Sequence, residues 1–423
     1  MKVAGSVRVP GDKSITHRVL LLAALTRGTS HIGGALTSLD ARSTARVLRQ
    51  LGAELSSLRP GTPVTVRGKG KFRRPGGPLF CGNSGTTTRL LLGLLSAHRF
   101  SATLTGDRSL RRRPMRRVTF PLASMGARFI ERNGDGLPLT VRGERLRPLT
   151  YEMPVSSAQI KSAILLAGMA GGVSVALREP HGRSRDHTER LLQAFGYGVA
   201  EKDGWIHFTP GGHLEPFDIQ VPGDPSSAAF LVGAATLAEA GELRIAAVGV
   251  NPTRTGFLEV LGRMGAGIQV ENHSTRFGEP VGDLIVRPAS LRGTEVAAGE
   301  IPGLIDEIPL LAALASRAVG ATTFRQVGEL RVKESDRLGL IAENLRVLGA
   351  EAAVVGDDLV VEGSAPEPRG KVRTEGDHRL AMAFAVLGTI PGARIRIDDM
   401  ACAAVSFPGF PATLREIGAR GGR

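Results

Sequence analysis

The chain has 423 residues, 54 Lys and Arg against 40 Asp and Glu, two Cys and 42% hydrophobic residues, the profile of a globular protein of several domains. Two cysteines make neither a disulfide framework nor a four-ligand zinc site, and no signal-peptide core or apolar run of about 18 residues is visible, so a reducing, cytoplasmic location is expected. Residues 1–221 hold 33 basic and 15 acidic side chains and residues 222–423 hold 21 and 25; with only 4% aromatics for base stacking, that basic half favours small anions over nucleic acid.

In chain order, GSVRVPGDKS opens with a Val-Pro-Gly-Asp word at Val9 to Asp12, followed by an apolar helix in KSITHRVLLLAAL. A helix ending in Gly52 closes VLRQLGAEL, NSGTTTRLLLGLL starts the next, and PLASMGARF ends at Gly126. FIERNGDGLPLTVRG then reads as a hairpin, SSAQIKSAILLAGM as a third apolar helix, and LLQAFGYGV as a helix ending at Gly196. VAEKDGWIHFTPG is a second hairpin, and VPGDPSSAAF repeats the opening word where the charge changes sign. Beyond it come DPSSAAFLVGAATL, VLGRMGAGI ending at Gly265, IDEIPLLAALAS, NLRVLGAEA ending at Gly349, the hairpin AAVVGDDLVVEG, DHRLAMAFAVLG and LREIGARGG with Gly418.

The six glycines lie 74, 70, 69, 84 and 69 residues apart. Each follows a helix, the position at which glycine ends helices, and each is preceded by a second helix with Ser, Asp or Asn at its start. Even spacing of such a pair marks a repeat, and the unit reads βαβαββ. Six units give two similar domains of three units each. The two Val-Pro-Gly-Asp words act as matched crossovers, dividing the chain into residues 12–221 and residues 1–11 with 222–423.

Candidate chemistry sits at the helix starts. Lys13, Ser14 and Arg18 lie in GDKSITHR; Asn83, Ser84, Gly85, Thr86 and Arg89 in GNSGTTTR; Ser157, Gln159 and Lys161 in SSAQIK; Ser184 and Arg185 in SRDHTER. Unpaired N–H groups and the dipole of a first turn, joined by hydroxyls and cations, make an anion site. GDRSLRRRPMRR carries six Arg in twelve positions, of which Arg113, fixed by Pro114, is read as a clamp for carboxylate or phosphate. The second half supplies carboxylates beside cations: Asp306 and Glu307, then Lys333, Glu334, Asp336 and Arg337, then Asp377, His378 and Arg379. Lys333 and Arg337 would share one helix face, and Asp306 at a helix start among apolar neighbours is a candidate for proton transfer. No metal spacing, Walker loop or Ser/His/Asp motif is present.

The motifs GDKSxxxR, GNSGTxxR, GDxSLxxRPM, SAQxK, RDHTE, KESDR and DHRxAM, in that order over the whole chain, resemble those of the 5-enolpyruvylshikimate-3-phosphate synthases. GDKS, SAQIK, RDHTE and NPTR (Asn251 to Arg254) resemble the second class of that family. The resemblance implies an α/β (α+β) two-domain enolpyruvyltransferase fold of six βαβαββ repeats, three per domain, with an interdomain active-site cleft. It implies transfer of the enolpyruvyl group of phosphoenolpyruvate to the 5-hydroxyl of shikimate 3-phosphate, with loss of phosphate and no metal or cofactor. A cytoplasmic monomer acting on small anions, without nucleic acid or membrane, is expected. Lys13, Ser14, Arg18, Ser157, Gln159, Asp306 and Lys333 would bind the phosphoshikimate, with Ser184 and Arg185 near its phosphate. Lys13, Gly85, Arg113, Gln159, Arg337 and Arg379 would hold phosphoenolpyruvate. Asp306 would take the hydroxyl proton, and Glu334 with Lys13 would move the proton at the methylene carbon.

Three positions depart from the family pattern or decide within it. Val405 stands where many relatives have Lys before the terminal Phe-Pro, and Glu329 replaces an Asn ahead of KESDR. Gly85 is the ordinary glycine rather than the alanine that crowds the inhibitor glyphosate, so partial tolerance at most is implied. The same-fold UDP-N-acetylglucosamine enolpyruvyltransferases typically carry a reactive Cys in the loop matching GDRSLRRRPM, where this chain has none.

Overall fold

The βαβαββ unit is plainest in residues 79–142. In the computed structural model, which describes residues 1–131, 134–180 and 182–421, strand Leu79–Phe80 runs parallel to Ser101–Thr105, and the hairpin Arg128–Glu131 with Leu139–Arg142 pairs antiparallel beside it. Residues 132 and 133 of that hairpin's turn lie outside the described residues. Inward positions alternate: Ala102 and Leu104 face Val141 and Leu139 across the ladder, and all four are buried, as a half-buried sheet requires. The sheets of residues 149–209 and 295–361 repeat the same order and directions.

Two sheets borrow their first strand from far along the sequence. Asp218–Gln220 lies parallel to Arg27–Gly33, with Ile219 opposite Ile32, and Lys2–Val7 lies parallel to Ala240–Gly249, with Val3 opposite Gly241. The sixth sheet has only two strands, Arg369–Val372 and Arg394–Ile397, among the described residues. The helix Phe410–Gly421 stands where the other units place their hairpin.

Five of the six repeat glycines stand one residue past a helix C-cap with positive φ: Gly52 (+100°), Gly126 (+115°), Gly196 (+76°), Gly265 (+95°) and Gly349 (+90°). A side chain there would clash with the preceding carbonyl, so the left-handed turn selects glycine. Gly418 differs. It lies inside the last helix, where a β-carbon would come 2.7 Å from Sδ of Met1, so close approach rather than a turn explains it.

The chain forms two compact units. One comprises residues 11–221 with 276–279, the other residues 1–10, 222–275 and 280–423. Residues 276–279 count with the first because Phe277 stacks at a tilt against Phe195 and Phe217 and Glu279 accepts a hydrogen bond from His187.

Each unit is built round apolar helices that start at the polar motifs. In the first these are α1 (Lys13–Leu25), α2 (Gly85–Leu95) and α3 (Ala158–Gly171). They are buried on nearly all sides, so they carry no polar stripe. Gly93 lets α2 approach α3 closely, since a β-carbon would stand 2.1 Å from the Ala163 carbonyl oxygen. The second unit has α4 (Pro225–Thr236), α5 (Ile308–Ala315), α6 (Arg337–Val347), α7 (His378–Leu387) and α8 (Phe410–Gly421). Each fully buried Leu in these helices contributes roughly 1.5–3 kcal/mol, which fixes the helices and with them the side chains of their first turns. Among the described residues no helix is long and apolar enough to cross a membrane.

Candidate active site

In the first unit the helix starts gather cations. Asp12 caps α1 by accepting from the Ile15 N–H at 2.8 Å, which places Lys13, Ser14 and Arg18 on its first turns. Nζ of Lys13 lies 3.4 Å from a carboxylate oxygen of Asp40. Arg18 is 3% exposed and donates to Thr188 Oγ1 (2.7 Å), the Ser14 carbonyl (2.9 Å) and Ser162 Oγ (2.6 Å), so it ties α1 to α3 and to the helix His187–Ala194. Burial pushes this guanidinium down to about 10 against the opposing charges of Glu189 and Asp12, and it remains cationic at neutral pH.

Ser84 caps α2, accepting from the Thr87 N–H, and Gly85 begins the helix. Arg89, one turn on, donates to the side-chain oxygen of Gln159 and to the Pro114 carbonyl at 3.1 Å. Arg113 donates to the side-chain oxygen of Asn83, with Ser109 Oγ at 3.5 Å, and Asn83 in turn donates to Asp107 at 2.7 Å. Arg113 is thus held by Asn83, and the Pro114 carbonyl holds Arg89 instead: proline offers no donor or acceptor side chain, only the oxygen that a different guanidinium uses. A β-carbon on Gly85 would face both cations, 3.2 Å from Arg113 Nη1 and 3.3 Å from Arg89 Nη1. Gln159 completes this corner by donating to Thr86 Oγ1 at 3.2 Å.

Lys161 is a structural cation. It is 1% exposed, 2.9 Å from Glu179 and 2.8 Å from Glu189, and donates to the Ser184 carbonyl at 3.0 Å. Burial works against its charge, but the two carboxylates outweigh burial and raise it above an ordinary lysine. Ser184 is held from both ends, since its N–H donates to Glu179 at 3.2 Å, while its buried hydroxyl has no hydrogen-bond partner among the described residues. Arg185 is half-buried beside it, and Ser157 begins α3 without a side-chain cap bond.

In the second unit one guanidinium organises the acids. Arg337, 1% exposed at the start of α6, reaches Asp377 Oδ2 with Nε (2.7 Å), Asp306 Oδ1 with Nη1 (3.3 Å) and Glu334 with Nη2. Burial opposes its charge, yet Asp377, Glu334 and Asp306 together hold it above the usual arginine range. Arg379, in the first turn of α7, donates to the Asp306 carbonyl (3.0 Å) and lies 3.6 Å from Asp306 Oδ2 and 3.4 Å from Glu307 Oε1. Asp377, fully buried, caps α7 through the Arg379 N–H (2.9 Å) and accepts from Ser335 Oγ (3.1 Å). Asp306 and Glu334 keep partial exposure, 15% and 24%, so these two face outward from the network.

Lys333 and Arg337 do not share a helix face. Asp336 accepts from the Gly339 N–H at 3.1 Å and caps α6, so the helix starts at Arg337, and Lys333 and Glu334 precede it in a bend after a 3₁₀ turn. Lys333 is pulled below an ordinary lysine by burial and by the charge of Arg337, against Asp306, Glu329 and Glu334. Glu329, in place of the family Asn, therefore faces a cation, and Val405 lies half-buried in the 3₁₀ turn Ala401–Val405. Burial lifts the Cys81 thiol to about 11, and burial with Asp399 lifts Cys402 to about 12, so neither is a thiolate at neutral pH.

The sequence did not single out Asp40, Glu179 and Glu189, and it offered Asn83 and Asp377 without the guanidiniums they hold. Arg89 was signalled by its position one turn after Gly85; Asp377 and Arg337 are 40 residues apart, and no local pattern joins them.

The family model of EPSP synthase (3-phosphoshikimate 1-carboxyvinyltransferase) matches residues 1–414. The 3-phosphoshikimate 1-carboxyvinyltransferase of Thermosynechococcus vestitus is 47% identical over 420 residues, covering 98% of this chain and 95% of the relative. That of Desulforamulus reducens is 43% identical over 419 residues, covering 98% and 97%. The EPSP synthase structure from Acinetobacter baumannii aligns with a TM-score of 0.86 at 38% identity, over 98% of this chain and 96% of that one. The enolpyruvyl transferase NikO from Streptomyces tendae, with a TM-score of 0.77 at 20% identity over 99% and 95%, shares the fold. The chain therefore belongs to the EPSP synthase (3-phosphoshikimate 1-carboxyvinyltransferase) family.

Proposed function

We propose that the cationic cluster of the first unit and the Arg337 network of the second serve the family reaction, transfer of the enolpyruvyl group of phosphoenolpyruvate to the 5-hydroxyl of shikimate 3-phosphate. Lys13, Ser14, Arg18, Ser157, Gln159, Asp306 and Lys333 bind shikimate 3-phosphate, and Ser184 and Arg185 meet its phosphate. The buried Ser184 hydroxyl, without a hydrogen-bond partner among the described residues, supports the last assignment, because a phosphate oxygen would supply such a bond. Lys13, Gly85, Arg113, Gln159, Arg337 and Arg379 hold phosphoenolpyruvate, whose charge the fixed guanidiniums neutralise.

The observation that carries the mechanism is the sharing of Arg337 by Asp306 and Glu334. Protons move at two atoms, an oxygen and a carbon, and two partly exposed carboxylates on one buried guanidinium supply a fixed pair of sites for them. Asp306 takes the proton of the 5-hydroxyl as its oxygen bonds to C2 of phosphoenolpyruvate. Glu334, with Lys13, delivers a proton to the C3 methylene, giving a tetrahedral adduct. The same carboxylate then removes a proton from the new methyl group as the C2–O bond to phosphate breaks. The C2–C3 double bond re-forms in the product, and the departing phosphate takes up the proton held by Asp306, so the protons balance.

The deciding measurement is phosphate release from phosphoenolpyruvate with and without shikimate 3-phosphate. Release that requires shikimate 3-phosphate is expected; no release, or release indifferent to it, overturns the proposal.

A further inference from the structure

The NPTR motif has no part in the mechanism above, yet its arginine is among the best-held side chains of the second unit. Arg254, 2% exposed, donates from Nη2 to Ser226 Oγ at 2.7 Å and lies 3.4 Å from Asp224, the cap of α4. Ser226, 4% exposed, donates its hydroxyl to Glu307 Oε1. Glu307, 2% exposed, has Arg379 Nη1 3.4 Å from that same oxygen.

The direction of every bond in this chain is forced. A guanidinium only donates, so Ser226 Oγ must accept from Arg254, and its single proton is left for Glu307. Glu307 Oε1 then receives both Ser226 and Arg379. A buried carboxylate has no water to turn to, so its position is fixed by these donors. Arg379 is correspondingly pinned on one face by Glu307 and by the Asp306 carbonyl at 3.0 Å.

We propose that Glu307, oriented through Ser226 by Arg254, is a positioning residue that aims the Arg379 guanidinium at the carboxylate of phosphoenolpyruvate. The inference rests on the reading of Arg379 as a phosphoenolpyruvate ligand and adds to it the support that sets its direction. Glu307 touches neither substrate; it acts through Arg379.

Four single variants and one double variant test this with steady-state kinetics for each substrate and thermal unfolding as a control. Glu307→Ala is expected to raise KM for phosphoenolpyruvate about tenfold or more while KM for shikimate 3-phosphate moves less than about twofold. Glu307→Gln keeps an oxygen acceptor and should recover most of that loss. Ser226→Ala should raise the same KM about threefold and add little when combined with Glu307→Gln, because both act on one link. Equal changes in the two KM values, or no change in KM for phosphoenolpyruvate, overturn the positioning role. If Glu307→Ala does not fold, Ser226→Ala decides: an unchanged KM for phosphoenolpyruvate overturns it. Arg379→Ala separates the two levels. No effect of Arg379→Ala on that KM removes the ligand reading and the inference with it, whereas a strong effect beside a silent Glu307→Ala removes the inference alone.

Discussion

Gly85 and Arg113 meet where a β-carbon on the glycine would stand 3.2 Å from the guanidinium Nη1. The backbone at Gly85 is ordinary helix, so alanine costs nothing conformationally. The cost falls on Arg113 and Arg89, which are held by Asn83 and by Gln159 and must shift by a few tenths of an ångström. Gly85→Ala is therefore expected to fold with unchanged thermal stability and to raise KM for phosphoenolpyruvate about five- to tenfold, as a misplaced charged hydrogen bond does. Steady-state titration of each substrate checks this; a variant indistinguishable from wild type would mean that the two guanidiniums do not meet the substrate there.

Asp306→Ala and Glu334→Ala remove one proton-transfer site each. Arg337 keeps Asp377 and one other carboxylate in either variant, so the network and the fold survive. A fall in kcat of about 10²–10⁴-fold is expected, with KM values changed by much less. Pre-steady-state and steady-state phosphate release measure it, and a variant with wild-type kcat has lost no catalytic group.

Lys161→Met leaves Glu179 and Glu189 buried without their cation. Breaking such a pair from one side costs about 3–5 kcal/mol, far above the worth of a surface ion pair. Urea unfolding at neutral pH should show that loss. A variant within about 1 kcal/mol of wild type contradicts the account of Lys161 as a structural cation.

His17 gives the stability a pH dependence. It is fully buried in α1 with Nδ1 2.7 Å from Thr44 Oγ1, and burial, helped by Lys13 and Arg18, pushes its imidazole down to about 3. The unfolded chain protonates this group near pH 6.5 and the folded chain only near pH 3. Stability is thus intact above pH 6.5 and falls through that window, by about 1.4 kcal/mol per pH unit from this residue alone. Unfolding free energies at about pH 7.5 and about pH 5 should differ by about 2 kcal/mol more in wild type than in His17→Gln. Equal pH dependence in the two proteins would remove His17 as the cause.

The repeat was legible because a left-handed residue after a helix leaves a glycine in the sequence, and Gly52, Gly126, Gly196, Gly265 and Gly349 do occupy that turn. Gly418 carries the same local word for a different reason, contact with Met1, which is set by residues 417 positions away. The cationic helix starts were legible for a similar reason: caps and dipoles act within a few residues, so Lys13, Gly85 and Gln159 sit beside their signals. What holds them was not, because Lys161 with Glu179, Arg18 with Thr188 and Arg337 with Asp377 are joined by folding rather than by spacing. Lys161 shows the consequence most directly, since a lysine in a motif of ligand-like residues proves to be bound by the protein itself.

The strand Lys2–Val7 has as its neighbour Ala240–Gly249, while the sheets of residues 27–220 close among themselves. On the ribosome this orders assembly in time. Lys2–Val7 emerges early, with bare edge hydrogen-bonding groups, and must wait unpaired until residue 249 has been synthesised, by which point the intervening unit has all its strands. A segment made before the intervening unit thus docks only after it, a long-range closure of the sort that slows folding and leaves an edge exposed to chaperones in the interval.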